Sequence, residues 1–331
     1  MVRFGILSFA HMHAASYAQA ITELPNAELV GVADKDRERG ERTAAAFDTR
    51  FFSREGLLAQ RIDAVIVGSE NAEHAEWTLA AVAAGKHVLC EKPISTSLED
   101  ARRMIEACQA RKVKLATAFP CRYLPSVQSL KQACDAGQFG RILAVRGTNH
   151  GSMPGGWFTS QLLAGGGAVM DHTVHLVDLA RWLLGAEVVN VYAEVDRRFY
   201  PDLEVDDCGM LSLELDNGAF MTIDPSWSRP KCYPFWGDVT LEVVGSEGVA
   251  FLDGFAQKLD LYSDEQGKGS WLYCGSDIDL ELIKAFVASI ENNTDPPTTG
   301  LDGLRALEVA LAAYESAKRK EPVTIASLRG G

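Results

Sequence analysis

Residues 63–93 read DAVIVGSENAEHAEWTLAAVAAGKHVLCEKP, and the reading of this stretch decides the fold. Ala64–Gly68 (AVIVG) and His87–Cys90 (HVLC) are short, continuous apolar runs. Strands buried on both faces of a parallel sheet look like this, whereas a half-exposed strand alternates apolar and polar residues. Between them, Ala72–Ala84 is an alanine-rich helical stretch closed by Gly85, the residue type best suited to the left-handed turn past a helix end. A strand, a helix and a second strand of this kind imply a right-handed crossover.

The pattern continues on both sides. Upstream, Val2–Leu7 and Ala27–Ala33 are strand candidates, with a helical pattern from about Ala14 to Leu24 and another after Asp34. Downstream, Thr96 and Glu99 have capping-box spacing, predicting a helix from Ser97 to about Ala110, and Val113–Phe119 is one more strand. Past residue 121 the period changes. A strand is expected over Arg141–Thr148. Alternation then marks Val188–Val195, Met210–Leu215, Ala219–Ile223, Val239–Val244 and Val249–Leu252, with a hairpin signal at Asp216-Asn217-Gly218. Helical patterns return at Ile278–Ile290 and Leu301–Ala317. The chain is therefore expected to be α/β. Residues 1–121 form a doubly wound parallel sheet of the Rossmann type, and residues 122–331 an α+β domain with a mostly antiparallel, open sheet.

Composition narrows the function. The 331 residues are 47% hydrophobic and 23% charged, enough apolar material for two cores. With 45 acidic against 32 basic residues the net charge is −13, which repels a phosphate backbone and argues against nucleic acid as the main partner. The first apolar run, Phe4 to Ala10, falls far short of the ~20 residues of a membrane span, and the N-terminus does not read as a secretion signal. Seven cysteines (90, 108, 121, 134, 208, 232 and 274) are widely spaced without a C-x-x-C. They read as free thiols in a reducing compartment, and the cytoplasm is expected.

In the first strand–helix turn, the G-x-G-x-x-G spacing of a dinucleotide site falls on Ser8, Ala10 and His13. All three glycines are replaced, although Ala10 remains small. Asp34 closes the second strand, 26 residues past Ser8. A carboxylate there accepts from ribose hydroxyls and repels a 2′-phosphate, favouring NAD over NADP; a solvated loop aspartate is the alternative, and Lys35 and Arg37 follow to soften the preference. Asp171 and His175 stand at i, i+4 on one helix face, a spacing suited either to a base with its orienting carboxylate or to an ordinary helix N-terminus. His172 and His150 add imidazoles, but packing or substrate contact is the preferred reading and no metal is expected.

The run AGKHVLCEKP (84–93) resembles the signature of the Gfo/Idh/MocA family of NAD(P)-dependent oxidoreductases, most of which act on sugars and cyclitols. The resemblance extends through Gly155-Gly156-Trp157, through GGGAVMDHTVH (165–175) and through Pro297–Gly303, so it spans essentially the whole chain. It implies hydride transfer between a nicotinamide and a CH–OH carbon of a sugar, polyol or cyclitol. Lys92 would reach the nicotinamide side and the substrate hydroxyl, where an ammonium stabilises a developing alkoxide. His175 would remove the hydroxyl proton, with Asp171 stabilising the imidazolium. Cofactor contacts are expected at Ser8, Phe9, Ala10, His11, Met12, His13, Asp34, Ser69, Asn71, His74, Glu91 and Lys92. Substrate contacts are expected at Arg122, His150, Trp157 and His172, with Tyr123 a second ring able to stack on a sugar. The glycine run before Asp171 would let substrate approach the backbone. Two departures stand out: Ser69-Glu70 where the family commonly has Thr-Pro, and Pro120-Cys121-Arg122 where it often has Asn-Arg-Arg. A homodimer or homotetramer built on the open sheet is implied. Alternatives are NAD-dependent glycoside cleavage on the same fold and a non-catalytic, dinucleotide-sensing regulator.

Overall fold

The computed structural model describes residues 1–265 and 267–329. The elements run β1 (Val2–Leu7), α1 (His13–Glu23), β2 (Ala27–Ala33), α2 (Arg37–Ala46), β3 (Arg50–Phe52), α3 (Arg54–Leu58), β4 (Ala64–Val67), α4 (His74–Ala83), β5 (His87–Cys90), α5 (Leu98–Arg111) and β6 (Leu115–Thr117). They continue with α6 (Pro125–Asp135), β7 (Ile142–Thr148), α7 (Gln161–Ala164), α8 (Ala168–Leu184), β8 (Val188–Asp196), β9 (Cys208–Leu215), β10 (Phe220–Asp224), β11 (Thr240–Gly245) and β12 (Val249–Asp253). Last come β13 (Lys258–Ser263), β14 (Lys268–Tyr273), α9 (Ile278–Glu291), α10 (Gly300–Arg319), β15 (Val323–Thr324) and α11 (Ile325–Arg329). Contacts divide the chain into two units, 1–120 with 277–304 and 121–276 with 305–331.

In the first unit six strands pair in the order β3-β2-β1-β4-β5-β6, every pair parallel. The continuous apolar runs are explained by burial on both faces: Ile6, Leu7, Val65, Ile66, Val88 and Leu89 have no exposure. The order reverses between β1 and β4, and the crevice beyond the carboxyl ends of strands at such a switch point is where doubly wound sheets bind ligands. Ser8–His13, Asp34, Ser69–Asn71 and Glu91-Lys92 all follow carboxyl ends of these strands.

The second unit holds a seven-stranded sheet ordered β12-β11-β7-β10-β9-β8-β15. All its pairs are antiparallel except β7 with β10. The inward set of the period-two pattern, including Val191, Leu211, Leu213, Met221, Ile223, Leu241 and Val243, is buried. Helix α8 packs over β7, β9 and β10 with Met170, Val174, Leu176, Val177 and Leu179 buried. The opposite face leaves Met210, Phe220, Val249 and Phe251 exposed. The Asn-Gly signal holds, with Gly218 at φ +84° joining β9 to β10.

Three features differ from expectation. The α5 cap is one residue later than the Thr96/Glu99 box: the Ser97 side chain accepts from Asp100 N, so Thr96 lies outside the helix. The β13–β14 hairpin forms a separate two-stranded sheet that was not foreseen. Residues 277–304, expected in the second domain, belong with the first unit. Helix α9 buries Leu282, Ile283, Phe286 and Val287, and Phe286 meets Phe4 of β1 at 6.3 Å between ring centroids. The following loop is pinned to β6, where Thr117 N donates to Thr298 O (3.2 Å) and Thr117 Oγ1 to Thr299 O (3.1 Å). No helix among the described residues is long and apolar enough to cross a membrane, and none of the seven cysteines is in a disulfide.

Since Phe286 and Phe4 are 1% and 0% exposed, Phe286→Ala is expected to cost about 3–5 kcal/mol in a urea unfolding measurement. A loss below about 1 kcal/mol, the size of a surface substitution, would contradict the placement of α9.

Candidate functional site

The first turn meets the geometric demands of a dinucleotide loop without its glycines. Ser8 adopts φ +72°, a left-handed conformation that costs a residue with a Cβ roughly 1–2 kcal/mol. Its N–H donates to Ala33 O (2.7 Å) and its Oγ accepts from Ala10 N (3.2 Å). The close helix–strand approach usually given by the third glycine is provided from β4. A Cβ on Gly68 would lie 2.9 Å from both Ala14 Cβ and Ser8 O, while Gly68 O accepts from His11 N at 2.9 Å. His13 is thereby free to begin α1.

Asp34 is not a solvated loop residue. Its Oδ2 accepts from Phe9 N (2.7 Å) and Arg39 Nε (2.9 Å), and its Oδ1 from Arg39 Nη2 (2.6 Å) and Asp36 N (2.9 Å). The cation that moderates it is Arg39. Lys35 and Arg37, named from the sequence, instead pair with Glu73 (2.6 Å) and Glu41 (2.7 Å). Phe9 stacks on Phe47 at 6.3 Å, and Met12 is exposed.

Beyond β4 and β5, Ser69, Asn71, His74, Glu91 and Lys92 are all buried. His74 Nδ1 lies 2.8 Å from Pro93 O and Nε2 3.2 Å from Ser69 O, so the ring ties two strand-end loops together instead of presenting a nitrogen to a cofactor. Burial holds it below its ordinary value, and the neutral ring, with one N–H, donates to only one of these two carbonyls at a time. Glu70, in the place of the family's proline, is pushed up by burial. Glu91 gathers several groups. Its Oε1 accepts from Tyr17 OH (2.5 Å) and faces His13 Nδ1 (3.2 Å) and His11 Nδ1 (3.7 Å), while its Oε2 accepts from Lys92 N (3.0 Å). Burial disfavours the His13 imidazolium, but the Glu91 carboxylate more than offsets this and raises its pKa.

In the second unit α8 carries Asp171, His172, His175 and Asp178. Its start is fixed by Asp206, whose carboxylate accepts from Gly167 N and Val169 N, both at 2.8 Å. Tyr314 OH donates to Asp206 Oδ1 (2.7 Å) and accepts from Met170 N (3.1 Å). This explains the glycine run differently from the sequence reading. A Cβ on Gly166 would stand 2.2 Å from Tyr314 OH, and one on Gly167 1.8 Å from Asp206 O, so these glycines admit protein groups, not substrate. Asp171 Oδ2 meets His172 Nε2 (3.3 Å) and Trp227 Nε1 (3.4 Å). His175 Nδ1 lies 3.7 Å from Cys121 Sγ.

Other residues expected at the substrate have structural partners. Arg122 forms a buried fork with Asp178, at 2.8 Å from Nε and 2.5 Å from Nη2, beside the Trp182 ring. His172 Nδ1 is 2.9 Å from Pro225 O. His150 lies between Asp224 (3.0 Å) and Asp238 (2.8 Å), with Arg229 also on Asp238. Burial opposes its charge, but the two carboxylates raise its pKa to about 9. Trp157 stacks on Phe158 at 3.9 Å. Residues missed by the sequence reading are Arg39, Tyr17, Asp206 and Tyr314. Only Arg39 carried a signal, as a cation five residues past Asp34.

The parallel order, the switch point, the left-handed turn at Ser8 and the buried carboxylate ending β2 fit a dinucleotide-binding Rossmann domain. Residues 2–119 match the model described as "Oxidoreductase family, NAD-binding Rossmann fold", and residues 127–251 that of the GFO/IDH/MocA C-terminal domain. The myo-inositol 2-dehydrogenase of Thermotoga maritima is 30% identical over 99% of this chain and 100% of its own. The scyllo-inositol 2-dehydrogenase (NAD(+)) of Bacillus subtilis is 28% identical over 98% and 96%. The crystal structure of GenD2 from gentamicin A biosynthesis, in complex with NAD, superposes with a TM-score of 0.89 at 27% identity, covering 98% of this chain and 96% of that one. The chain belongs to the Gfo/Idh/MocA oxidoreductase family. It is an NAD(P)-dependent oxidoreductase of CH–OH groups, with NAD as its cofactor.

The Asp34–Arg39 fork sets an expectation for cofactor choice. Arg39→Ala leaves the carboxylate uncompensated, so the preference for NAD over NADP should rise by roughly tenfold, about 1.4 kcal/mol. Fluorescence titration with both nucleotides checks this; unchanged or tighter NADP binding would contradict it.

Proposed function

We propose that this chain interconverts a ring hydroxyl and ketone of a cyclitol or related sugar polyol. Its relatives named as inositol 2-dehydrogenases support that substrate class. NAD, when bound, accepts or returns the hydride. The turn 8–13, Asp34 and the residues after β4 and β5 hold it, with Ser69, Asn71, Glu91 and Lys92 following strand ends. His74 acts indirectly, by tying the Ser69 and Pro93 loops.

The observation that carries the reading is Asp171 with His175 one helical turn apart on α8, in a chain of this family. His175 is the base that takes the hydroxyl proton during oxidation and returns it during reduction. Asp171, already accepting from the Trp227 indole, stabilises positive charge that builds on this helix face. Lys92 supplies the cation beside the oxygen that carries developing negative charge. His172 and Trp157 stay in the reading as substrate contacts. Arg122 and His150 act through their partners, Arg122 by holding α8 and His150 by fixing the ends of β10 and the loop before β11.

The subunit is proposed to assemble as a homodimer or homotetramer. Met210, Phe220, Val249 and Phe251 on the outer sheet face offer apolar area for a second copy. Free thiols at all seven cysteines support a reducing, cytoplasmic setting.

Two experiments test these assignments. With myo- and scyllo-inositol among the polyols assayed, Lys92→Met, Asp171→Asn and His175→Ala should each lower turnover ~10²–10⁴-fold while NAD still binds. The ascending limb of the pH–rate profile should vanish in His175→Ala, and full activity in that variant would overturn the assigned base. Light scattering at micromolar concentration should give a dimer or tetramer that Phe220→Glu with Phe251→Glu dissociates; a monomeric wild-type chain would refute the assembly.

A further inference from the structure

The His11–Met12–His13 turn does more than begin a helix. Among the described residues, His11, His13 and Glu91 are the one group of three such side chains whose ligand atoms all lie within 4.8 Å of one another. The two imidazoles stand 4.6 Å apart between centroids and cross at 65°, so both present Nδ1 to the same carboxylate oxygen without stacking. His13 Nδ1 and His11 Nδ1 are 3.2 and 3.7 Å from Glu91 Oε1. Ligand atoms of a tetrahedral zinc ion with bonds of about 2.1 Å stand about 3.4 Å from one another, between those two separations.

The surroundings of Glu91 also suit a ligand set. His11 Nδ1 accepts a long bond from the backbone N–H of His13 (3.3 Å), which an ion bound at this nitrogen would replace. Glu91 is fully buried, and both of its oxygens are oriented by protein donors, Oε1 by Tyr17 OH and Oε2 by Lys92 N. Outer donors of this kind fix metal-binding carboxylates in place. The His11 and Glu91 side chains are 2% and 0% exposed, but that of His13 is 32% exposed, which gives an ion a way in and leaves one coordination position open. A donor set of two imidazoles and one carboxylate selects a transition metal over magnesium, which prefers oxygen ligands and water.

We propose that His11, His13 and Glu91 form a binding site for one divalent transition-metal ion, Zn²⁺ by donor type, at the N-terminus of α1. The ion is bound, not chemically transformed, and it compensates the buried Glu91 charge. The site differs from the His172, His175 and Asp171 group on α8, whose His172 ring is turned to Pro225 O.

The test uses the full chain, stripped of metal with a chelator. Calorimetric titration with Zn²⁺ should show one saturable site, and Co²⁺ should give the visible bands of a low-coordinate nitrogen–oxygen site. His11→Ala and Glu91→Gln should each weaken zinc binding by more than the ~10–100-fold typical of losing an outer-shell partner. His172→Ala should bind as the wild type does. Circular dichroism and thermal melting identify variants that have kept their fold; if Glu91→Gln unfolds, His13→Asn takes its place and should show the same loss. Absence of saturable zinc binding to the wild type, or binding unchanged in folded His11→Ala, would overturn the site.

Discussion

The Asp206 carboxylate fixes where α8 begins, and the side chains proposed above to act from that helix take their places from it. The first turn of a helix leaves backbone N–H groups without partners. Here a negative group accepts from two of them, which is stronger than a neutral cap and favourable at the positive end of the helix dipole. Burial pushes the Asp206 carboxyl up, so the bonds from Val169, Gly167 and Tyr314 are what keep an anion tolerable there. Glycine is required at 167 because the Asp206 backbone closes over it. With the start fixed, Asp171, His175 and Asp178 fall at i, i+4 and i+7 on one face. Asp178 then receives Arg122, and that buried fork resists rotation of the helix. Breaking such a pair leaves an uncompensated charge, commonly a loss of 3–5 kcal/mol.

The first unit meets a comparable constraint by another route. A dinucleotide loop needs a left-handed turn, a close backbone approach and a small residue. This chain bears strain at Ser8, places the indispensable glycine at 68 on the neighbouring strand, and keeps Ala10. Moving the close contact to Gly68 allows an imidazole at position 13, and that imidazole brings with it the Glu91 cluster. The loss of glycines from the motif is therefore a redistribution of the same steric requirement, and a search for the motif in one loop overlooks it.

What was legible in the sequence follows from what periodicity encodes. Continuous apolar runs predicted the parallel strands because those strands are buried on both faces. Alternation predicted β8 to β12 because one face is buried, under α8 for β9 and β10 and against α6 for β12. The β13–β14 hairpin escaped because only its Trp271 and Tyr273 rings pack on neighbouring aromatics (Tyr233, Phe235 and Phe255) while Leu259, Tyr262 and Leu272 stay exposed, so no one-sided pattern marks it. Residues 277–304 carry a normal helical pattern, but a pattern does not name the core it faces; Phe286 could have packed on either unit. At the site, periodicity and residue type do not name a side chain's partner. Arg122 and His150 are polar residues in the right segments, yet their hydrogen bonds go to Asp178, Asp224 and Asp238, the last three lying 56 to 88 residues away or on other strands. Asp206 and Tyr314 cap α8 from 39 and 144 residues away and leave no local trace.

The environments of the histidines also bear on which of them can move a proton. A general base works best when its pKa lies near the working pH. His150 is held by two carboxylates at about 9, so at neutral pH it is an imidazolium with both ring nitrogens engaged. It serves as a fixed cation. Because its folded value lies above the ordinary 6.5, the stability it adds is fully present below about pH 6.5 and is lost as pH rises through about 9. His74 is the opposite case: burial keeps it neutral, and both nitrogens face backbone carbonyls, so a proton lost there has no substrate to reach. His172 has Nδ1 on Pro225 O and Nε2 on Asp171. On α8 the base proposed above, His175, has its Nδ1 3.7 Å from the Cys121 thiol, a weakly polar group.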